Sequence, residues 1–257
     1  MQRFARLSAL FLGLVFLAAC GGGGGHPYGI PEQFSDAKPV RWRGKVPSHY
    51  PVHGVDVSRY QGDVDWPAAA ASGISFAFIK ATEGAEIADP MFQTNWARAA
   101  AAGVPRGAYH FYYFCRSGAE QANWFIQHVP AEPGALPPVL DIEWTHSRNC
   151  PQHPAPEVVR AQALDFLNIL SAYYGRQPII YTSIDFWQDN ELWRIGGYHF
   201  WLRSVAGHPR DVYDGQHWTF WQYTGTGLAP GFRGQVDLNT YEGSVSDWQN
   251  WVASNRL

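Results

Sequence analysis

Asp141 and Glu143 close the apolar run Pro137-Pro138-Val139-Leu140, two carboxylates separated by Ile142. Side chains alternate along a strand, so both acids project to one side. Val139 and Leu140 mark a strand covered on both faces, as in a parallel sheet. Sealing two such groups in apolar surroundings is costly. The carboxyl end of the strand, where barrels and α/β sheets open to substrate, tolerates them. A carboxylate pair at such a mouth is the equipment for cleaving a glycosidic bond. A D-x-E stretch taken alone is equally a strand end with two solvated acids, so the remaining chain must decide.

The elements around that stretch alternate. Strand signals fall at 53–58, 74–81, 107–113, 137–144, 178–182, 200–202, 218–223 and 235–239, with helices predicted at 65–72, 91–102, 118–129 and 155–174. Asp65 is placed to cap the first helix, with Pro67 in its first turn. In the longest helix Val158, Ala161, Leu164, Phe166, Leu167, Leu170 and Tyr173 recur at helical spacing, and Gly175 ends it. Beyond residue 182 the helices are short or missing, apart from a closing one near 247–253. Repeated β-then-α units predict an α/β fold, an irregular (β/α) TIM-like barrel with degraded helices in its second half. In such a barrel the ends of 53–58, 137–144 and 235–239 meet at one face. That brings Asp56, Asp141, Glu143 and Asp237 together, and mutual repulsion raises at least one pKa, as a general acid requires.

At 257 residues the chain has room for one large barrel. A net charge of −3 gives no electrostatic case for nucleic acid. The 12 Trp, 13 Tyr and 15 Phe suit either an aromatic core or a cleft in which rings stack on sugars. Residues 1–19 form an export signal: Arg3 and Arg6 precede an apolar run, Leu7 to Leu17, too short to span a bilayer. The run ends in Leu17-Ala18-Ala19-Cys20, which resembles the bacterial lipobox, so lipid on Cys20 is expected to anchor the protein to a membrane. The envelope location is expected to be the outer membrane or the periplasmic face. Residues 20–50, rich in Gly, Pro and charge, are expected to be a flexible linker, with the catalytic barrel at 51–257. Cys115 and Cys150 sit shortly after two strand segments and, in an oxidising compartment, are expected to pair. No Cys/His cluster has zinc spacing, and neither a metal nor another cofactor is expected.

The motifs together are more specific than any one of them. His-Gly-Val-Asp-Val-Ser-x-Tyr-Gln-Gly at 53–62, Phe-Ile-Lys-Ala-Thr-Glu-Gly at 78–84, Gly-Ala-Tyr-His-Phe at 107–111, Leu-Asp-Ile-Glu at 140–143, Trp-x-Phe-Trp-Gln-Tyr at 218–223 and Val-Asp-Leu-Asn at 236–239 occur in order. This set resembles glycoside hydrolase family 25, the Chalaropsis-type lysozymes, over about residues 51–257. The resemblance implies an irregular α/β barrel that cuts the β-1,4 bond between N-acetylmuramic acid and N-acetylglucosamine in peptidoglycan glycan strands. It implies Glu143 as the acid, with Asp141, Asp56 and Asp237 as the other acidic positions.

Around them, Tyr60, Tyr109, Phe111, Tyr181, Trp201, Trp221 and Tyr223 lie near strand ends and are candidates to line a saccharide cleft, although core packing suits about half of them. Lys80 and Glu83 are candidates for an ion pair at the rim, and Gln222 and Asn239 for bonds to sugar hydroxyls or amides. His110 reads as a structural residue. The Cys115/Cys150 pair and the loop 145–156 depart from the general family pattern. A monomer is expected, held near its polymer by the lipid. Two competing readings are a chitinase-like barrel, whose longer acidic motif is missing from the key strand, and a non-catalytic glycan-binding lipoprotein, which the intact acids oppose.

Overall fold

The structure, a computed structural model, describes residues 29–42, 44–145, 147 and 150–257. The expected export signal, Cys20 and the glycine run lie outside the described residues. Eight strands close a barrel: β1 (His53–Val57), β2 (Ile74–Glu83), β3 (Arg106–Phe111), β4 (Val139–Asp141), β5 (Ile179–Thr182), β6 (His199–Arg203), β7 (Phe220–Leu228) and β8 (Val236–Tyr241). The helices are α1 (Trp66–Ala71), α2 (Phe92–Ala101), α3 (Gly118–His128), α4 (Pro156–Tyr174), α5 (Ile184–Asp189), α6 (Pro209–Val212) and α7 (Val245–Asn255). Asp65 caps α1 through the Ala68 amide at 3.0 Å. Gly175, in the left-handed region at φ 66°, stops α4.

Within the barrel each strand from β1 to β7 runs parallel to the next, but β8 runs antiparallel to both β7 and β1. The last strand thus departs from the all-parallel order of a regular (β/α) barrel. Only residues 229–235 join β7 to β8, and a parallel return needs a crossover of roughly a dozen residues or more.

Strand alternation sorts the core into two bodies. Phe76, Phe78, Tyr109, Val139, Ile179, Tyr181, Trp201 and Phe220 fill the barrel, and Trp248 and Trp251 of α7 close its base. Their neighbours Ala77, Ile79, Ala108, Leu140 and Ile180 face outward against Phe92, Trp96, Phe125, Phe166 and Leu170 of the helices. Each fully buried aromatic side chain contributes roughly 2–3 kcal/mol. Gly54 belongs to the inner set, and an added Cβ there would lie 2.5 Å from the Phe76 carbonyl oxygen.

The phase of α4 differs from the expected one. Val159, Ala163, Phe166, Leu167, Leu170 and Tyr174 are buried, while Val158, Leu164 and Tyr173 face solvent. Apolar residues on both sides of the helix left two stripes available, and contact with α3 selects one.

Residues 29–50 are not a free linker where they are described. Ser35–Asp36 pairs antiparallel with β7 at Gly227 and Leu228. Phe34 is buried, Trp42 meets Trp221 edge-on at 5.2 Å, and Tyr50 packs on Trp218 and Trp221 while its hydroxyl bonds His208 at 2.9 Å. No helix lies between β7 and β8, so this segment covers their outer faces. Its three anchoring aromatics are widely spaced and without period, which hid them among Pro, Gly and charge.

Candidate active site

The four acids line one cavity of about 560 Å³ at the mouth of the barrel. Asp56 arrives at the end of β1, Asp141 at the end of β4, and Glu143 two residues further on. Asp237 comes from the start of β8, and the reversal of that strand carries its first residues to the same mouth. The ladder pairs Asp237 with Asp56 directly. A larger hollow of about 720 Å³, between α1, α2 and residues 231–233, contains none of the four.

A polar layer fixes Asp56 from beneath. Its Oδ2 accepts from Gln222 Nε2 at 2.9 Å and from Asn239 Nδ2 at 2.8 Å. Gln222 Oε1 accepts from the Tyr181 hydroxyl at 2.9 Å, and Asn239 Oδ1 from Trp201 Nε1 at 2.8 Å. Both amides are therefore held in one orientation with their protons on the carboxylate. On one wall Lys80 bonds Glu83 and lies over the Phe111 ring at 4.7 Å. Glu83 also accepts from the Tyr113 hydroxyl at 2.9 Å. Arg203, two residues after Trp201 on β6, stands on another wall. The bonded cysteines Cys115 and Cys150 tie the turn after β3 to the loop that carries Thr145 and Ser147 into the cavity.

Burial sets the protonation of the acids. It pushes Asp56 up to about 6 against the pull of its amide donors. It pushes Glu143 up to about 7 against the charge of Arg203. It pushes Asp237 up to about 8, assisted by the Asp56 carboxylate. Burial, with Glu143 beside it, raises Asp141 well above the ordinary range. One oxygen of Asp141, Oδ1, is buried with no hydrogen-bond partner among the described residues. Burial also pulls Glu83 upward, but Lys80 and the Tyr113 hydroxyl outweigh it and hold the carboxyl below its usual value. The site thus holds a carboxyl able to give a proton near neutrality, further carboxylates around it, and a hydrogen-bond acceptor awaiting a donor.

A family model described as Glycosyl hydrolases family 25 matches residues 55–232, more than half of the chain. The chain belongs to that family.

Lysozyme M1 of Streptomyces globisporus is 36% identical over 203 residues, 76% of this chain and 69% of its own length. The uncharacterized Escherichia coli protein YegX is 35% identical over 213 residues, 81% of this chain and 76% of its own. The solved family 25 glycosyl hydrolase of Bacillus anthracis superposes with a TM-score of 0.70 at 34% identity, covering 78% of this chain and 93% of that one. The chain is accordingly a glycoside hydrolase on a mixed α/β barrel.

Within this family 25 barrel, Tyr60, Lys80, Glu83, Tyr109, Phe111, Tyr181, Trp201 and Gln222 line the cavity with the acids. Three expected contacts lie elsewhere. Trp221 and Tyr223 flank Gln222 on β7 and so point out of the barrel. Trp221 lies under Trp42 and Tyr50, and the Tyr223 hydroxyl bonds His53 Nδ1 at 3.1 Å. Asn239 is fully enclosed below the cavity, with its amide committed to Asp56 and Trp201.

His110 faces outward between Thr82 Oγ1 and Gln121 Oε1, at 2.8 and 3.0 Å, and burial lowers its pKa to about 4. It is a neutral structural residue. Arg203 and Tyr113 were missed. The signal for Arg203 was available: it lies two positions beyond Trp201 and so on the same side of the strand.

Proposed function

We propose that this family 25 hydrolase is an N-acetylmuramidase, a lysozyme that cuts the β-1,4 bond between N-acetylmuramic acid and N-acetylglucosamine in peptidoglycan. The observation that carries the reading is the pairing in one cavity of Glu143, raised to about 7, with Asp141, whose buried Oδ1 lacks a partner among the described residues. The name of Lysozyme M1 supports the substrate class.

In this reading the Glu143 carboxyl gives its proton to the glycosidic oxygen as the bond from that oxygen to the anomeric carbon breaks. The departing sugar leaves as an alcohol. The carbonyl oxygen of the substrate's own 2-acetamido group bonds the anomeric carbon. Asp141 Oδ1 accepts the acetamido N–H, which orients the group and favours the ionised form of Asp141 as the nitrogen becomes positive. Water then attacks the same carbon, its proton passes to the Glu143 carboxylate, and the acetamido group is released. Asp56, raised only to about 6 and so ionised where Glu143 still holds its proton, adds negative field as the sugar gains oxocarbenium character. Two displacements at one carbon retain its configuration. NMR of the first-formed product checks this: the inverted anomer would remove the acetamido route and leave water attack with an Asp as base.

The export signal and lipid on Cys20 belong to the same reading, as the means of holding the enzyme in the envelope beside its polymer. The deciding experiment is mass analysis of fragments released from purified peptidoglycan, and from chitin, by the wild-type protein and by Glu143→Gln. Disaccharide muropeptides ending in muramic acid from the wild type alone are expected. Turnover of chitin in preference would replace the muramidase reading with a chitinase-like one. No turnover of either polymer would favour a glycan-binding protein.

A further inference from the structure

Arg203 is used by nothing in the mechanism above, and it lines the catalytic cavity. Its backbone is pinned: the carbonyl accepts from the Tyr213 hydroxyl at 2.6 Å, and the next amide, of Ser204, donates to the Gln222 carbonyl at 3.0 Å. The side chain is partly buried and borders two cavities at once. One is the catalytic cavity. The other, of about 340 Å³, lies beyond it between the segments that follow β5 and β6, with Asp185, Gln188 and Gly207 on its walls. Lys80, the neighbouring cation, is neutralised by Glu83. Among the described residues the Arg203 guanidinium has no carboxylate oxygen within 4.0 Å, although Asp56, Glu143 and Asp237 all feel its charge from further away. Asp185 is exposed across the second cavity and is also unpaired with it.

A guanidinium that is rigidly based, half-withdrawn from water and left without a partner is a site for a planar anion, because its fork matches a carboxylate with two parallel N–H bonds. We propose that Arg203 binds a carboxylate carried by the substrate, with the substituent on the muramic acid ring running from the catalytic cavity into the second one. The proposal rests on the muramidase reading and deepens it. A polymer of N-acetylglucosamine offers Arg203 only hydroxyls and amides. A muramyl glycan offers a carboxylate from one of two sources, the lactyl group of an unsubstituted muramic acid or the peptide stem attached to it. Arg203 is then a specificity-determining residue rather than a catalytic one, and it is the feature of the cleft that separates muramyl from chitin-like polymers.

The test uses three soluble substrates: peptide-free glycan strands with the lactyl carboxylate free, the same strands with that carboxylate capped as a methylamide, and peptide-bearing strands. Compared at each protein's own pH optimum, because loss of this charge also shifts the acids, Arg203→Ala is expected to lose roughly tenfold to a hundredfold in kcat/KM, mostly through KM, on the carboxylate-bearing substrate it recognises relative to the capped strands. Loss on the free lactyl strands assigns the lactyl group, and loss confined to the peptide-bearing strands assigns the stem. Arg203→Lys is expected to recover part of the loss. The wild-type protein gives an independent measure, since it should prefer a carboxylate-bearing substrate to the capped strands by a similar factor. Equal losses on all three substrates, with a common displacement of the pH profile, would make Arg203 a counter-charge for the acids and overturn the proposal alone. A wild-type protein that turns over none of the three would overturn the muramidase reading with it.

Discussion

Asp237 stands opposite Asp56 in the ladder that closes the barrel, although the two belong to strands running in opposite directions. Asp56 lies near the end of β1 and Asp237 near the start of β8, and antiparallel pairing is what lets the two share a mouth. Both carboxyls have folded-state pKa values, about 6 and about 8, above the ordinary value of about 4. The folded protein therefore holds protons that the unfolded chain releases. The stability that this contributes is present below pH of about 4 and is lost as pH rises through 6 to 8. The melting temperature of the wild type should fall between pH 5 and 9 by this mechanism, on the order of several degrees. Asp237→Asn should flatten the fall and raise the melting temperature most at the alkaline end. Calorimetry across that range checks both, and an unchanged slope in the variant would count against burial of the Asp237 charge.

Glu143 acts as a proton donor in the proposed mechanism, so activity should follow its protonated form. With its pKa near 7, kcat/KM should decline above that pH by about tenfold per unit. Glu143→Gln should lower kcat by roughly a hundredfold to ten-thousandfold and abolish that alkaline limb. Initial rates on soluble glycan strands across pH 4–9 (roughly the range over which a carboxyl with a pKa near 7 titrates) measure both effects.

The bond between Cys115 and Cys150 closes a loop with a sequence separation of 35 that includes Asp141 and Glu143. Loop-closure entropy puts its removal at about 3–4 kcal/mol. Replacing both cysteines by alanine should lower the melting temperature by roughly 10 °C. Because the bond also holds the loop bearing Thr145 and Ser147 against the cavity, KM should rise in the variant even at temperatures where it is fully folded.

The segment before residue 51 should behave as part of the barrel. A chain shortened to begin at Pro51 uncovers Trp218, Trp221 and Tyr223 and leaves the outer faces of β7 and β8 bare. It should melt well below a chain that begins at residue 29 and should bind a hydrophobic dye. Trp42→Ala in the longer chain should cost about 2–3 kcal/mol, read by urea unfolding. If the shortened chain is equally stable, the packing of residues 29–50 is incidental.

Gly54→Ala places a methyl group 2.5 Å from the Phe76 carbonyl oxygen inside the barrel, where the backbone on either side is held in the ladder. A loss of about 3 kcal/mol is expected by urea unfolding. Gly234→Ala, where nothing lies within 4 Å and φ is not positive, serves as the control.

The sequence by itself determined the barrel and the gathering of four acids at its mouth. Period-two strands alternating with helices specify the closed sheet, and acids at the strand ends specify where charge is tolerated. The ordered motifs from His53 to Asn239 carry the family's signature. What only the tertiary structure decided was direction and phase. Seven residues between β7 and β8 reverse the last strand. Period two assigns Trp221 and Tyr223 to one side of β7 and Gln222 to the other, but cannot say which side faces inward. The α4 stripe and the anchoring of Phe34, Trp42 and Tyr50 depend on partners far away in the chain. So does Arg203, which reaches the acids' cavity without an ion pair among the described residues only once distant strands have closed the ring. Local pattern fixes what each element is, because it depends on neighbouring residues; which face is covered depends on surfaces that meet only when the barrel forms.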